Sequence, residues 1–292
     1  MSDFDLKYEE FRSYFLNKLE KCCAEISTVP EILGESMKYS LQLGGKRIRP
    51  VLMYAVGEVL GVDREILTPF ACALEFIHTY SLIHDDLPAM DNDDFRRGKP
   101  SNHKVFGEAN AVLAGDGLLN SAYSMLFAEC FKGSEYISAA KFICDAAGIY
   151  GMIAGQSADI AHEKDGNADE NVLDYIYENK TAKLLIAAVT VPSVIKGGAY
   201  YSEFKAFGKK LGYLFQLTDD ILDACGNFEN LGKTTGKDEA EDKLTAVKLY
   251  GLDNCKLRVD IIGDDCHRIL DGVEGDVSFL HDVVNFVKSR LN

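Results

Sequence analysis

The sequence has no long apolar run and comparatively few basic residues. Its longest apolar stretch, "LLIAAVTVPSVI", spans twelve residues and contains a proline, whereas a membrane-spanning helix needs roughly 20 apolar residues. Acidic side chains outnumber basic ones by 46 to 31, which gives a net charge of −15. Because this overall field repels nucleic acid and anionic membranes, we expect neither as a partner. Any phosphate group in a ligand must be held by a local group of cations.

Two further absences concern processing and cysteine chemistry. The N-terminal segment "MSDFDLKYEEFRSYFLNKLEK" carries acidic residues where a secretory signal needs a basic start and an uninterrupted apolar core, so a cytoplasmic protein is expected. The eight cysteines include one adjacent pair, Cys22 and Cys23, but no CxxC spacing. That spacing would indicate zinc or redox chemistry. We therefore expect reduced cysteines that pack as small apolar residues.

No segment shows the alternating pattern of a strand, and no repeat of roughly 20 to 50 residues is evident. Apolar residues instead recur at helical spacing, as in Leu67, Phe70, Leu74 and Ile77. Breaks that contain glycine or proline divide the chain into roughly ten helical segments. Neither of the long polar interruptions, 163–171 and 226–243, has linker composition. The sequence predicts an all-α protein in which residues 1–292 form a single domain.

The segment "FQLTDDILDACG" gathers three carboxylates on one face of a helix. Asp219, Asp220 and Asp223 lie at i+3, i+4 and i+7 from Gln216, so all four side chains share that face. Gly226 ends the helix soon afterwards, where the helix dipole opposes each negative charge by about 0.3 to 1 kcal/mol. Folding alone would not select this arrangement.

A second acidic cluster occurs in "SLIHDDLPAMDNDDFRRGKP". Pro88 predicts that the preceding helix ends or bends near Leu87, which places Asp85 and Asp86 at a helix C-terminus as well. The same bend is needed to bring Asp91 close to them. A solvated acidic turn would explain either cluster alone. The two together indicate a hard cation that takes oxygen ligands and keeps some waters, which favours Mg²⁺.

Basic residues accompany both clusters. They lie in three segments: Arg96 and Arg97; Lys46, Arg47 and Arg49; Lys233 and Lys237. A surplus of fixed cations beside a metal site indicates a ligand with more negative charge than the metal neutralises, most simply a diphosphate. The segment "GKTTGK" is one residue short of the GxxxxGK[ST] loop, so nucleotide hydrolysis is not expected.

Together, these segments resemble those of the trans-isoprenyl diphosphate synthases, and closely those of the bacterial short-chain members that make farnesyl diphosphate. The resemblance covers roughly residues 30 to 250 and includes, in the family's order, "LGGKRIRP", "EFIHTYSLIHDDLPAMDNDDFRRGKPSNHKVFGEANAVLAGD", "GQSADI", "ENKTAKLL", "FQLTDDILD" and "LGKTTGKD". It implies the isoprenoid synthase fold, which is a helical bundle around a deep central cavity, and a homodimer. It also implies a Mg²⁺-dependent condensation of isopentenyl diphosphate with dimethylallyl and geranyl diphosphates, which gives (2E,6E)-farnesyl diphosphate and diphosphate.

The resemblance also assigns roles to individual residues. The ligands of several Mg²⁺ ions, up to three with diphosphate bound, would be Asp85, Asp86, Asp91, Asp219, Asp220 and Asp223. The allylic diphosphate would contact Arg96, Lys180 and Lys233. The isopentenyl diphosphate site would comprise Lys46, Arg49, His78 and Arg97. The developing carbocation would be bordered by Lys180, Thr181 and Gln216, and a closing loop would carry Lys237 and Asp238.

Product length is implied by the residues below the first acidic cluster. In the family, an aromatic residue five positions before the first aspartate acts as the floor of the substrate pocket, and Tyr80 occupies that position. Ser81 lies one turn below Asp85 on the same helical face. The resemblance therefore implies a product that stops at farnesyl diphosphate. A geranylgeranyl diphosphate synthase of the same family, with its longer product, is the alternative.

Three positions depart from the family pattern. Ala182 stands where glycine is usual, Ala246 stands where an aromatic residue is usual, and the C-terminus lacks an arginine-rich ending. We expect these differences to affect loop closure and packing at the rim more than the chemistry.

Three other functions are compatible with parts of the sequence. The His84-Asp85 pair also occurs in metal phosphohydrolases, but that class needs further histidine and aspartate ligands. A terpene cyclase would normally carry an Asn/Ser/Glu metal motif where "DDILD" stands. A non-catalytic regulatory subunit with the same fold tends to lose one aspartate motif, whereas both are present here.

Overall fold

The structure is a computed structural model that describes residues 2–26, 31–162, 169–226 and 244–291. These residues are predominantly helical, which confirms the all-α prediction. The first helices are α1 (Asp3–Ile26), α2 (Glu31–Gln42), α3 (Ile48–Leu60), α4 (Arg64–Asp85), α5 (Asn102–Phe106), α6 (Glu108–Glu129) and α7 (Ser134–Ala147). They are followed by α8 (Met152–His162), α9 (Glu170–Ile176), α10 (Lys183–Ile195), α11 (Tyr201–Ala224), α12 (Ala246–Tyr250), α13 (Leu252–Leu270) and α14 (Ser278–Ser289). A 3₁₀ turn, Cys130–Lys132, follows α6, and a π-helix, Tyr177–Ala182, joins α9 to α10.

A short hairpin follows the first acidic cluster and was not predicted. Strand β1 (Phe95–Arg96) pairs antiparallel with β2 (Lys99–Pro100). Arg97 and Gly98 make the two-residue turn with φ of 54° and 74°, the left-handed values that such hairpins require. Strands of two residues are too short to show an alternating pattern. The hairpin fixes the backbone that carries both arginines of the "FRRG" segment.

Helix α4 lies at the centre of the packing. It begins at Asp63, whose side chain accepts a 2.8 Å hydrogen bond from the N–H of Glu65. It packs against α1, α3, α6 and α10, and Phe70, Leu74 and Phe76 are fully buried. A helix with apolar residues on most of its faces is stable only when other elements surround it. The helix that ends in the first acidic cluster is therefore part of the core.

Two stretches are long and apolar enough to cross a membrane by length and composition alone: Arg64–Asp85 and Ser134–His162. In the first, which is α4, 67% of the tested window is buried inside the protein, as expected of a core helix. The second is interrupted by a turn at 148–151, between α7 and α8. Neither is a clear membrane span.

Helices α8 and α11 approach the π-helix closely from two sides. A Cβ atom on Gly155 of α8 would lie 2.1 Å from the backbone nitrogen of Lys180. A Cβ atom on Gly212 of α11 would lie 2.4 Å from the Cβ of Ala182. Glycine at both positions permits this approach, and Ala182 is itself buried. The expectation that Ala182 affects packing at the rim is therefore wrong.

Both acidic clusters lie at helix ends, as predicted. Helix α4 ends at Asp85 with Asp86 as its C-cap, and α11 ends at Ala224 with Cys225 as its C-cap. The helix that contains Asp85 stops two residues before Leu87, consistent with the boundary predicted from the following proline. The fold thus presents carboxylates at two helix C-termini.

Candidate active site

The backbone reverses direction directly after α4. The N–H of Asp91 donates to the carbonyl of Asp85 at 2.9 Å, and the N–H of Asp93 donates to the carbonyl of Asp86 at 3.2 Å. These bonds fold residues 86–93 back over the end of the helix. The reversal at Pro88 therefore brings Asp91 next to Asp85, as the sequence required for the two to cooperate.

The two aspartates at the end of α4 have different surroundings. Asp85 is partly exposed and accepts a 2.5 Å hydrogen bond from Nε2 of Gln156 on α8. Asp86 is 2% exposed and accepts hydrogen bonds from Arg96, whose Nε lies 2.9 Å from its Oδ1. Burial raises the pKa of Asp86 to about 6, although the guanidinium of Arg96 acts in the opposite direction. Arg96 also reaches Asp93 at 3.3 Å, so it joins the buried carboxylates of this turn.

Lys180 links the π-helix to the first acidic cluster. Its Nζ lies 2.5 Å from Oδ2 of Asp159 on α8. Burial disfavours the charged ammonium, but the carboxylates of Asp85, Asp159 and Asp91 outweigh that effect and raise the pKa of Lys180. The lysine is thus a permanent cation that faces three carboxylates.

The adjacent residue of the π-helix reaches the second acidic cluster. The hydroxyl of Thr181 donates to Oε1 of Gln216 at 2.8 Å, and Nε2 of Gln216 donates to Oδ1 of Asp220 at 3.0 Å. Successive residues, Lys180 and Thr181, therefore contact different clusters. Consecutive side chains of a helical segment point in directions about 100° apart, so this one short segment reaches both clusters.

Asp220 connects several elements. Its Oδ2 accepts hydrogen bonds from the hydroxyl of Tyr177 and, at 2.7 Å, from the backbone N–H of Ala246. Since Nε2 of Gln216 donates to Oδ1, both carboxylate oxygens of Asp220 accept hydrogen bonds from the protein. Ala246 is fully buried at this contact, so it too lies away from the rim, contrary to expectation.

The final helix contributes a cation to the second cluster. Arg290, at the C-cap of α14, donates to Oδ1 of Asp219 at 2.6 Å and lies 4.7 Å from the centroid of the Phe215 ring. The cluster also includes Asp223, which is 6% exposed. An arginine at the end of α14 therefore reaches the second acidic cluster.

A group of cations surrounds His78 on α4. Burial and the charges of Arg49, Arg97, Arg47 and Arg96, in that order, hold the pKa of His78 well below its usual value. The imidazole is therefore neutral at pH 7. Since a neutral imidazole carries one N–H, it can still donate a hydrogen bond to an anion.

Arg97 is held in this group by the turn that precedes α3, and Arg49 belongs to the first turn of α3. A guanidinium N–H of Arg97 donates to the carbonyl of Gly44, and a Cβ atom on Gly45 would lie 2.6 Å from the Cζ of Arg97. Burial lowers the pKa of Arg49 to about 10. Within the described ranges, the Nε of Arg49 is buried and has no hydrogen-bond partner. A buried donor without a partner suits a site that an anionic ligand completes.

The other two cations of "GGKRIRP" point elsewhere. Arg47 is buried and forms an ion pair with Glu75, with its NH1 atom 2.5 Å from Oε1. Lys46 is exposed, and its Nζ lies 5.2 Å from the centroid of the Phe286 ring on α14. Burial and the neighbouring Arg290 lower the pKa of Lys46. Four residues were predicted for the isopentenyl diphosphate site. Of these, Arg49, His78 and Arg97 lie together, whereas Lys46 lies towards α14.

Tyr80 and Ser81, predicted to limit chain length, lie five and four residues before Asp85 on α4. Tyr80 is 6% exposed, and its ring lies edge-on to the His84 ring at 5.7 Å. The hydroxyl of Ser81 donates to the carbonyl of His78 at 2.8 Å, so its hydrogen bond is made within α4. Tyr80 is therefore a buried aromatic residue that packs against the side chain next to Asp85.

The phosphohydrolase alternative lacks ligands around the His84-Asp85 pair. A ring nitrogen of His84 lies 3.0 Å from the carbonyl oxygen of Val112 on α6 and 4.0 Å from a carboxylate oxygen of Asp116. In the described part of the chain, no three histidine, cysteine or acidic side chains converge on one point closely enough to hold a metal ion by themselves.

Three predicted site residues lie outside the described ranges: Lys233, Lys237 and Asp238.

Four residues that contact the predicted site residues were not themselves predicted: Gln156, Asp159, Tyr177 and Arg290. Gln156 and Asp159 stand three residues apart in "GQSADI" and so share one helical face, a signal that would have identified them.

Comparisons with known proteins agree with this arrangement. A family model described as polyprenyl synthetase matches residues 30–266. The chain is 41% identical over 270 residues to farnesyl diphosphate synthase of Bacillus subtilis, covering 90% of each protein. It is 41% identical over 297 residues to the chloroplastic geranylgeranyl pyrophosphate synthase 7 of Arabidopsis thaliana, covering 97% of this chain and 85% of the relative. The crystal structure of a geranyltransferase from Helicobacter pylori, complexed with magnesium and isoprenyl diphosphate, matches with a TM-score of 0.80 at 30% identity, covering 96% of both chains. The chain therefore belongs to the polyprenyl synthetase family, with the isoprenoid synthase fold, and is a prenyltransferase.

Proposed function

We propose that this prenyltransferase condenses isopentenyl diphosphate head to tail with dimethylallyl and then geranyl diphosphate, and stops at (2E,6E)-farnesyl diphosphate. The observation that carries the product length is the buried ring of Tyr80 beneath Asp85. Sequence identity does not decide between products, because a farnesyl and a geranylgeranyl synthase are each 41% identical to the chain. A geranylgeranyl product is the alternative.

The distribution of charge supports two diphosphate positions. The acidic helix ends, together with Lys180 and Arg96, suit an allylic diphosphate held partly through metal ions. Arg49 and Arg97 form a purely cationic group, and the neutral His78 adds a hydrogen-bond donor, which suits the diphosphate of isopentenyl diphosphate. Lys46, Lys233 and Lys237 complete the proposed substrate contacts.

The donor set fits Mg²⁺. Mg²⁺ is usually bound through one or two carboxylates together with substrate phosphates and waters, rather than by a cage of protein ligands alone. That preference agrees with two separate carboxylate clusters that do not converge on one point in the described residues. We propose Asp85, Asp86, Asp91, Asp219, Asp220 and Asp223 as the ligand set. When bound, Mg²⁺ would neutralise the charge that grows on the leaving diphosphate.

The side chains near the reacting carbon have complementary roles in this proposal. Lys180 and Arg96 hold the departing diphosphate. The hydroxyl of Thr181 and the amide of Gln216, joined at 2.8 Å, present oxygen dipoles towards the allylic cation. Asp220 fixes the orientation of Gln216 through a 3.0 Å hydrogen bond. Buried apolar walls keep water from the cation, while the second diphosphate position holds the double bond at reacting distance.

The test of this function is a product analysis. The purified protein would be incubated with isopentenyl and dimethylallyl diphosphates and Mg²⁺, and the dephosphorylated products would be measured by mass spectrometry. A fifteen-carbon alcohol that is lost on adding a chelator is the expected result. A twenty-carbon alcohol would support the alternative product. No condensation with any allylic primer would instead favour a terpene cyclase or a non-catalytic regulatory subunit.

Replacing the proposed floor should lengthen the product. In Tyr80→Ala, loss of the buried ring opens space beneath Asp85, and we expect the major product to shift from fifteen to twenty or more carbons. The same chain-length assay measures the shift. Tyr80→Phe is the matched control, since it keeps the ring and should keep the fifteen-carbon product. An unchanged product distribution in Tyr80→Ala would mean that the pocket floor lies elsewhere.

We also propose a homodimer in which α6 contributes to the interface. Several apolar residues around this helix are exposed, including Leu113 at 55%, Phe127 at 67% and Phe131 at 82%. Phe127 and Phe131 pack edge to face at 5.6 Å. An exposed group of this kind on a protein with a net charge of −15 favours an interface between copies.

Sedimentation analysis tests the homodimer. The expected mass is twice the chain mass of 32.2 kDa. Phe127→Asp places a charge in the proposed interface and should raise the dimer dissociation constant by at least ~10-fold. Leu257→Asp, at a similarly exposed position on α13, should leave it unchanged. A monomer of wild-type protein at micromolar concentration would rule out this interface.

Two further predictions remain proposals. The division of the chain into a single domain, residues 1–292, is supported by one continuous cluster of buried apolar residues that runs from Tyr8 to Val287. The cytoplasmic location expected from the sequence is the other proposal.

A further inference from the structure

Two cysteines meet where α1 crosses α4. The Sγ of Cys22 lies 3.7 Å from the Sγ of Cys72, close enough for a hydrogen bond between the thiols. Cys22 is half-buried, whereas Cys72 is 1% exposed. Of the two residues, Cys22 is therefore the more accessible to an oxidant in solvent.

The two thiols are unequal in reactivity. The hydrogen bond with Cys72 lowers the pKa of Cys22, although burial acts in the opposite direction. The same hydrogen bond, together with burial, raises the pKa of Cys72. Since the thiolate is the reactive form, Cys22 is the sulfur that reacts first with an oxidant, and Cys72 is placed to resolve the product.

We propose that Cys22 and Cys72 form a reversible disulfide, a redox modification site that joins α1 to α4 when the protein meets a peroxide. The thiolate of Cys22 attacks one oxygen of hydrogen peroxide, the O–O bond breaks, and hydroxide leaves with a proton as water. The sulfur of Cys72 then attacks the sulfenic acid of Cys22, the S–O bond breaks, and a second water leaves with the proton of Cys72. Two thiols and one peroxide thus give one disulfide and two waters.

The two sulfurs are already neighbours. A disulfide has an S–S distance of about 2.05 Å, so sulfurs that lie 3.7 Å apart must approach by roughly 1.6 Å. The link would close a loop of about 50 residues that contains α2 and α3, and loops of that length gain substantial stability from a disulfide.

The experiment uses the full chain. Reduced protein would be treated with hydrogen peroxide, and the intact mass and the number of alkylatable thiols would then be measured. We expect a loss of about 2 Da, a fall from eight thiols to six, a Cys22–Cys72 cross-linked peptide, and a rise in Tm of about 5 °C. Dithiothreitol should reverse all four changes.

Two variants identify the partners. Cys22→Ser should keep seven free thiols after peroxide treatment. Cys23→Ala, which alters the adjacent cysteine on the same helix, should still form the link and lose two thiols. The proposal is overturned if wild-type protein keeps all eight thiols, if Cys22 stops at a sulfinic acid with a gain of about 32 Da, or if the cross-link to Cys72 persists in Cys22→Ser and is lost in Cys23→Ala.

Discussion

Asp85→Asn is expected to lower kcat on the order of 10³-fold while leaving the fold intact. The substitution keeps the shape of the side chain but removes its charge. Asp85 is the partly exposed carboxylate of its pair, and it lies beside Lys180 and accepts a hydrogen bond from Gln156. An amide cannot replace a carboxylate as a Mg²⁺ ligand or balance the charge of Lys180. Steady-state kinetics with saturating isopentenyl and allylic diphosphates measures the effect.

Asp94 provides the matched control. It belongs to the same acidic segment, but its side chain is 60% exposed and forms an ion pair with Lys104 at 2.7 Å. Asp94→Asn should therefore change kcat by less than ~3-fold, because exposed ion pairs contribute little. If Asp85→Asn retained a tenth or more of the wild-type kcat, the proposal that this carboxylate holds the metal would fail.

Glu75→Gln should lower the free energy of unfolding by about 3–5 kcal/mol. Glu75 is 1% exposed and Arg47 is 4% exposed, and the two form a 2.5 Å ion pair beside the cationic group. The substitution preserves size but leaves the guanidinium of Arg47 without a counter-charge. The carboxylate also stabilises the positive charges of Arg49 and Arg97, so its loss removes a shared counter-ion.

Urea denaturation followed by circular dichroism measures this difference. Lys141 and Asp145 form a comparable 2.5 Å ion pair on the surface, with side chains 70% and 55% exposed. Asp145→Asn should cost less than ~1 kcal/mol, since solvent screens that pair. A loss below ~1 kcal/mol in Glu75→Gln would mean that the buried pair adds no more than an exposed one. The double variant Arg47→Met/Glu75→Leu should recover much of the lost stability, because it leaves no unpaired charge.

The sequence predicted the features that depend on local spacing. The ends of α4 and α11, the shared face of Gln216 and Asp220, and the reversal near Pro88 all follow from helical periodicity and from the restrictions that proline imposes. These rules act over a few residues, so a single sequence contains the information they need. The hairpin Phe95–Pro100 was not predicted because its two-residue strands are too short to show an alternating pattern.

Features that depend on contacts between distant elements were predicted less well. Lys46, Arg47 and Arg49 lie within four residues, and nothing in their local pattern indicates that Arg47 turns into the core to meet Glu75. Its φ of 53° at the start of α3 sets that direction, and such a conformation is uncommon for a residue other than glycine. The contacts of Arg290 with the second cluster likewise depend on where α14 packs.

The burial of Ala182 shows the same limit. The departure of Ala182 from the family pattern was expected to affect loop closure and packing at the rim, whereas the close approach of Gly212 on α11 encloses this residue. No spacing rule reports which helices approach each other that closely. Packing of this kind is determined by the complete set of contacts rather than by any one segment.

The π-helix at Tyr177–Ala182 has a consequence for how this protein can change over evolution. Within it, Lys180 faces one acidic cluster while Thr181 contacts the other. A π-helix is a helical turn that accommodates one extra residue, so removing a single residue from this segment would restore a continuous α-helix between α9 and α10. The buried face of α10 could then stay in the core, whereas Lys180 and Thr181 would change direction relative to the two clusters. A one-residue deletion here is therefore expected to spare the fold and to disrupt the site.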